Sequence, residues 1–319
     1  MFNSENQEGE LVETWQRFVQ GMLGVLALVG AGVMAHYYAP PETEGLQQQV
    51  HELSRQVANL ERQQSFSSAA VDDARDSVAY IYGIYHVSGH AQSFRARVAG
   101  TGFVIAPGLL ATNRHVAEPW YGDSEADALI SKGAKPQLEK LVAFFPGFPL
   151  PVDITPLVLS ASGDLAVLHV ENSQAISRLR PLPLAERASN PGELVAVVGY
   201  PMGVLGMVAK SPPAVYERLA YRRDDIGAAN ELAALSLIRP SATCGHLGDV
   251  VGDKLIYDAP TAHGGSGGPV FNSQGQVIGI NEAYIDGFSG GTLGVSVQAL
   301  RPLIAAAQKR VSSPPQSKP

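Results

Sequence analysis

The run Gly264-Gly265-Ser266-Gly267-Gly268-Pro269 places one serine among four glycines, between two stretches that read as buried strands. Such a run forms a tight turn, because glycine reaches backbone conformations closed to other residues. A serine on that turn is set up as a nucleophile, with backbone N–H groups able to face an oxygen that becomes negative in a transition state. The same pattern also fits a plain glycine-rich hairpin loop. Its partners therefore decide.

Two upstream segments supply partners. Gly100 to Val116 reads as two short strands joined at Pro107-Gly108, with His115 at the exit of the second. Ser162-Gly163-Asp164 puts a carboxylate at the mouth of the apolar strand Leu-Ala-Val-Leu-His-Val. Either residue alone is compatible with an ordinary satisfied polar group. Together with Ser266 they form a base, an orienter and a nucleophile.

Chain order separates the folds that carry such a triad. An α/β-hydrolase runs Ser, acid, His, but His263 is the last histidine and precedes Ser266. The subtilisin order would need Asp72, Asp73 or Asp76 and regular βαβ alternation, whereas short strands with Gly and Pro turns are read here. The order His, Asp, Ser remains.

The segments GTGFVIAPGLLATNRHV, SGDLAVLHV, GELVAVVGYPMG, IYDAPTAHGGSGGPVFNSQGQVIGIN and GTLGVSVQALRPLI resemble the protease domain of the HtrA (Deg) branch of trypsin-like serine proteases. The resemblance runs from about Val78 to Gln308, with gaps at Trp120 to Pro151 and Val204 to Lys254. It implies an all-β, chymotrypsin-like fold of two six-stranded barrels with the site in the cleft between them. It also implies a serine endopeptidase in which His115 is the general base, Asp164 its orienter and Ser266 the nucleophile. Gly264, Gly265 and Ser266 would build the oxyanion hole, with the N–H groups of Gly264 and Ser266 as donors. Pro260, Thr261, Ala262 and His263 would line one wall of a substrate pocket, and Ile280, Asn281 and Glu282 the other. No metal or other cofactor is expected.

Three departures qualify the resemblance. Gly265 stands where digestive enzymes have an acidic residue and Deg proteases usually Asn, so an activating cut has no partner and the oxyanion turn gains freedom. His263 replaces a usual Pro. Only residues 312–319 follow the protease domain, expected at 70–311, so no PDZ domain is expected and that tail reads as disordered.

At the other end, residues 1–17 form a short tail, and Phe18 to Ala35 carries no formal charge. With the aromatic edge His36-Tyr37-Tyr38, residues 18–38 read as a membrane anchor. A cleaved signal peptide ending near Ala35 is the main rival, opposed by Glu5, Glu8, Glu10 and Glu13 ahead of the run. A buried core helix is the third reading. Arg17 favours a cytoplasmic N-terminus, hence a single-pass inner-membrane protein with its protease domain in the periplasm or another extracytoplasmic space.

Residues 43–66 read as a coiled-coil or spacer helix, with Leu46, Val50, Leu53, Val57, Leu60 and Gln64 along the seam. Val at a and Leu at d favour a parallel dimer, while the Deg resemblance implies trimers; both stay open. The net charge of −7 argues against a nucleic-acid partner. Partners are then protein or peptide substrates and the membrane. A catalytically silent module that binds peptide or senses misfolded protein is the alternative to an enzyme. Residues 206–247 read only as a surface helix from about Ala228 to Leu237, within a regulatory insertion or a decorated loop.

Overall fold

The computed structural model describes residues 5–38, 48–56, 68–89, 93–284 and 291–312. The chain divides into two units, Met1–Arg62 and Gln63–Pro319.

In the first unit, α1 (Glu5–Tyr38) contains the apolar stretch Trp15–Met34. Its 20 residues make a helix of about 30 Å, the thickness of a bilayer's hydrocarbon core. Leu23, Leu26, Leu28 and Val29 are all exposed, so the buried-core reading gains no support. A second helix, α2 (48–56), carries Val50 and Leu53, both exposed. Leu46, Val57, Leu60 and Gln64 lie outside the described residues, so the expected coiled coil is not shown.

The second unit opens with α3 (Ser68–Ala74) and a 3-10 turn (Arg75–Ser77). Twelve described strands then form two closed antiparallel barrels of six, the architecture that the resemblance implies. The first contains β1 (Val78–Ser88), β2 (Ser93–Ala106), β3 (Leu109–Thr112), β4 (Lys135–Phe144), β5 (Val152–Leu159) and β6 (Ala166–Val170), closed in the order β1-β2-β3-β6-β5-β4. The second contains β7 (Leu194–Gly199), β8 (Ser241–Val251), β9 (Lys254–Tyr257), β10 (Pro269–Asn272), β11 (Val277–Tyr284) and β12 (Thr292–Ser296), in the order β10-β11-β12-β9-β8-β7. Short helices α4 (Arg114–Ala117), α5 (Ser124–Ile130) and α6 (Ser173–Arg178) decorate the first barrel, and α10 (Val297–Ser312) follows the second.

Strands such as Val78-Ala-Tyr-Ile-Tyr82 are apolar at every position because both of their faces are buried. Side chains alternate across a strand; Ala79 and Ile81 fill the first barrel, while Val78, Tyr80 and Tyr82 enter a separate core. That core also takes Phe103 and Phe144 from the first barrel, and Tyr200 and Phe271 from the β7 and β10 region of the second. Tyr200 donates its hydroxyl to the Val78 carbonyl at 3.0 Å, so the polar tip of this buried ring is satisfied.

Residues 203–234 are a three-helix insertion and not a loop bearing one surface helix. They form α7 (Gly203–Ala209), α8 (Pro213–Leu219) and α9 (Asp225–Ala234). Asp224 caps α9 by accepting from the Gly227 N–H at 3.0 Å. Ala228, Ala229, Leu232 and Ala233 make one apolar face of helical period and enter the same core as Tyr80, as do Val204, Met207 and Val208 of α7. Seven-residue helices leave too few turns for a periodicity to stand out, so α7 and α8 were not expected.

An insertion rooted in the core should be felt in global stability. Leu232, fully buried, truncated to Ala should cost about 2–5 kcal/mol in urea unfolding; a loss below about 0.5 kcal/mol, usual for surface changes, would mean that the helices are only decoration.

Candidate active site

Pairing of β3 with β6, in register Thr112↔Ala166, brings the segment after one strand beside the segment before the other. His115 lies in α4 just past β3, and Asp164 just ahead of β6. Asp164 Oδ1 accepts the His115 backbone N–H at 2.8 Å and Oδ2 contacts His115 Nδ1 at 2.6 Å. Asn113 Nδ2 donates to the Asp164 carbonyl at 2.8 Å, fixing the carboxylate's own backbone. A proton on Nδ1 leaves Nε2 as the basic nitrogen.

Ser266 sits on the turn between β9 and β10. Thr101, fully buried, ties that turn to the first barrel: its N–H donates to the Ser266 carbonyl at 2.8 Å, and its hydroxyl donates to the Gly264 carbonyl at 2.7 Å. Gly264 and Gly267 have φ of 89° and 87°, and a Cβ at Gly267 would collide with the Thr101 carbonyl. Glycine is required at both.

The Ser266 hydroxyl donates to the Glu282 carbonyl at 3.0 Å, and no hydrogen bond joins it to His115. His115 and Asp164 are thus paired, while Ser266 and His115 are not linked. Rotation about the serine Cα–Cβ bond redirects that hydroxyl without moving the backbone.

The His263 carbonyl accepts from the Met202 N–H at 2.6 Å. In a planar trans peptide the N–H opposes the C=O, so the Gly264 N–H points away from Met202. Among the described residues, neither the Gly264 nor the Ser266 N–H donates a hydrogen bond, whereas Gly265 donates to the Ala262 carbonyl at 2.9 Å. The freedom expected at Gly265 is restrained by Asn281. This buried side chain donates from Nδ2 to the Gly265 carbonyl at 2.9 Å and to Thr261 Oγ1 at 3.2 Å, and it accepts from the Tyr257 hydroxyl at 2.7 Å.

Of the expected pocket residues, Glu282 alone shares a cleft with His115 and Asp164. That cleft, about 760 Å³, is also lined by Asp253, Lys254 and Leu303. Ile280 is buried in the core between the barrels and Asn281 is the brace just described. Pro260 and His263 are exposed, with Thr261 and Ala262 half-buried between them.

Burial, and then the charge of Asp164, push the Glu282 carboxyl above the usual glutamate range, while His115 and Lys254 pull it down. Two carboxyl groups and one imidazole thus share the cleft.

Residues 100–280 match the family described as trypsin-like peptidase domain, more than half of the chain. The chain belongs to that family. It is homologous to HtrA/DegP serine proteases. It is 28% identical over 203 residues to a probable periplasmic serine endoprotease, DegP-like, of Rhizobium meliloti, covering 63% of this chain and 31% of that relative. It is also 28% identical over 183 residues to the serine protease Rv3671c of Mycobacterium tuberculosis, covering 57% and 35%. The matched region thus spans about a third of these curated relatives. A solved HtrA-type protease with decapeptide, 17% identical, aligns with a TM-score of 0.51 over 77% of this chain and 66% of that one, a likeness of fold.

Within this trypsin-like peptidase domain, sequence reasoning missed Thr101, Asn113, Tyr257 and Lys254. Thr101 carried a signal, being flanked by Gly100 and Gly102 in the first motif. The other three are recognisable only from contacts across the fold.

The raised Glu282 pKa fixes the sign of a pH effect. The folded state binds its proton more tightly than the unfolded chain, so stability falls as pH rises through the window that opens at the ordinary glutamate value. Glu282→Gln removes this penalty. The variant should melt above the wild type at neutral pH, with the gap shrinking toward pH 4; a gap that grows on acidification would mean that Glu282 is stabilised as an anion.

Proposed function

We propose that this chain is a membrane-anchored serine endopeptidase acting on exposed segments of extracytoplasmic proteins. The observation that carries the reading is the His115–Asp164 pair at 2.6 Å, in a cleft whose Glu282 carbonyl holds the Ser266 hydroxyl. Substrate entry would turn that hydroxyl to His115 Nε2, leaving the Glu282 carbonyl to accept an incoming main-chain N–H. The β11–β12 register is irregular between Asn281 and Ala283, so this carbonyl stands outside the regular ladder.

His115 then takes the serine proton as Ser266 attacks the carbonyl carbon, and the Gly264 and Ser266 N–H groups receive the oxyanion. Asp164 stabilises the imidazolium, which passes the proton to the leaving amine. Water, activated by the same histidine, hydrolyses the acyl-enzyme and restores Ser266. The apolar helix at Trp15–Met34 supports the anchor, and Arg17, within the first turn of that stretch, supports a cytoplasmic N-terminus with the peptidase outside the cytosol.

The hydrogen bond from Ser266 to Glu282 favours one second reading, a silent module that binds peptide without cleaving it. Full-length protein treated with a fluorophosphonate decides between them. The endopeptidase reading expects labelling that Ser266→Ala abolishes, loss of casein hydrolysis in Ser266→Ala and His115→Ala, and a drop of about 10⁴-fold in Asp164→Asn. Peptide binding with neither labelling nor cleavage would establish the silent module.

The same reading extends to specificity. Pro260 lies six residues before Ser266, where enzymes that cleave after Arg or Lys hold an aspartate, and its neighbours Ala259, Thr261 and Ala262 are small and uncharged. Cleavage should follow small or medium apolar residues such as Val, Ala or Leu, with discrimination of about 10–200-fold per methylene. A peptide-library digest dominated by Arg or Lys at the cleaved bond would reject it.

A further inference from the structure

Away from the cleft, a second cavity of about 660 Å³ collects three cations. Arg75 of the 3-10 turn, Lys210 at the end of α7 and Arg239 just before β8 line it with the Ser211 and Ser241 side chains over Met207, and no carboxylate among the described residues lines it. We propose that this cavity binds a phosphate group, supplied either as free phosphate or as a phospholipid headgroup.

The cations are under-compensated. Lys210 Nζ donates to the Arg239 carbonyl at 3.0 Å and to Ser241 Oγ at 2.8 Å, which engages two of the three N–H bonds of an ammonium. Arg239 is exposed and makes no ion pair among the described residues. Arg75 Nε lies 3.3 Å from Asp72 Oδ1, yet it is buried without a hydrogen bond. Desolvation of the Lys210 ammonium, then Arg75 and Arg239, press its pKa below the usual lysine range, the direction expected where like charges meet without an anion between them.

The donor set selects the ligand class. Two guanidinium groups offer planar forks to a tetrahedral oxyanion, an ammonium adds a point charge, and the Ser241 hydroxyl completes the donor set, the Ser211 hydroxyl being committed to the Met207 carbonyl at 3.0 Å. Charge near −2 matches three cations, one of them shared with Asp72, better than a monocarboxylate does. The volume exceeds that of a bare phosphate and leaves room for an esterified group beside Leu237 and Ala242.

The site is coupled by chain geometry to the nucleophile's turn. Lys210 follows α7 directly, and at the other end of α7 the Met202 N–H, from a residue at φ 62°, holds the His263 carbonyl. A ligand at Lys210 therefore restrains the helix whose N-terminal neighbour positions the 263–264 peptide.

The test is a binding titration that does not depend on peptidase activity. Full-length protein in neutral detergent is titrated with sodium phosphate against sodium chloride at matched ionic strength, and in parallel with dioctanoyl phosphatidate against dioctanoyl phosphatidylcholine, reading the melting temperature. The expected result is a saturable rise specific to phosphate or phosphatidate, with apparent Kd weakened at least tenfold in Arg239→Gln and in Lys210→Gln. Tighter binding of phosphatidate assigns the headgroup as the source, and tighter binding of phosphate the free ion. Arg239 is exposed, so its variant should unfold in urea like the wild type without ligand; a rise that persists unchanged in both variants, or one that chloride reproduces, overturns the site.

Discussion

The two barrels meet at Ser266 through one buried threonine. Thr101 uses its N–H on the Ser266 carbonyl, its hydroxyl proton on the Gly264 carbonyl, and its hydroxyl lone pair on the Tyr200 N–H at 3.1 Å. Its own carbonyl accepts from Thr112 Oγ1 at 2.7 Å. Every polar atom of this residue is thereby satisfied at zero exposure, and leaving one unpaired would cost about 1–3 kcal/mol. The glycines at 264 and 267 follow from the same contact, since the Thr101 and Tyr200 segments lie too close to admit side chains there.

Around that contact the sequence is locally readable where chemistry is compressed into a short stretch. His115, Asp164 and Ser266 each end or precede a strand whose apolar run and Gly or Pro turn stand out, so the double barrel follows from spacing and resemblance, and the same spacing marks the three residues proposed for the site. The pocket walls did not follow. Ile280 and Asn281 sit on a strand expected to face substrate, but the period of two sends Ile280 into the inter-barrel core, and Asn281 is claimed by the buried Tyr257 hydroxyl. Neither partner is near in sequence, so no local pattern could have announced them.

The insertion is the other place where local reading fails for a physical reason. Tyr80, Phe144 and Tyr200 leave an apolar surface on the outside of two barrels, and closed barrels cannot cover it by themselves. Short helices α7, α8 and α9 supply that cover, with the Arg97–Asp225 ion pair at 2.7 Å joining β2 to α9 at the exposed rim. An exposed pair contributes little to stability, and burial of the Ala and Leu face contributes more. Tertiary burial stabilises helices this short, as their lengths require.

Glu282 links the site's electrostatics to its backbone. Its carbonyl holds the Ser266 hydroxyl while its carboxylate faces Asp164, and both place a strong acceptor beside the proposed base and nucleophile. Burial, and then the charge of Asp164, hold that carboxyl above the ordinary glutamate range. Lys254, in the same cleft, offsets part of that shift. In the proposed endopeptidase, the Ser266 hydroxyl must leave a carbonyl that the irregularity in the β11–β12 ladder sets outside the regular pairing.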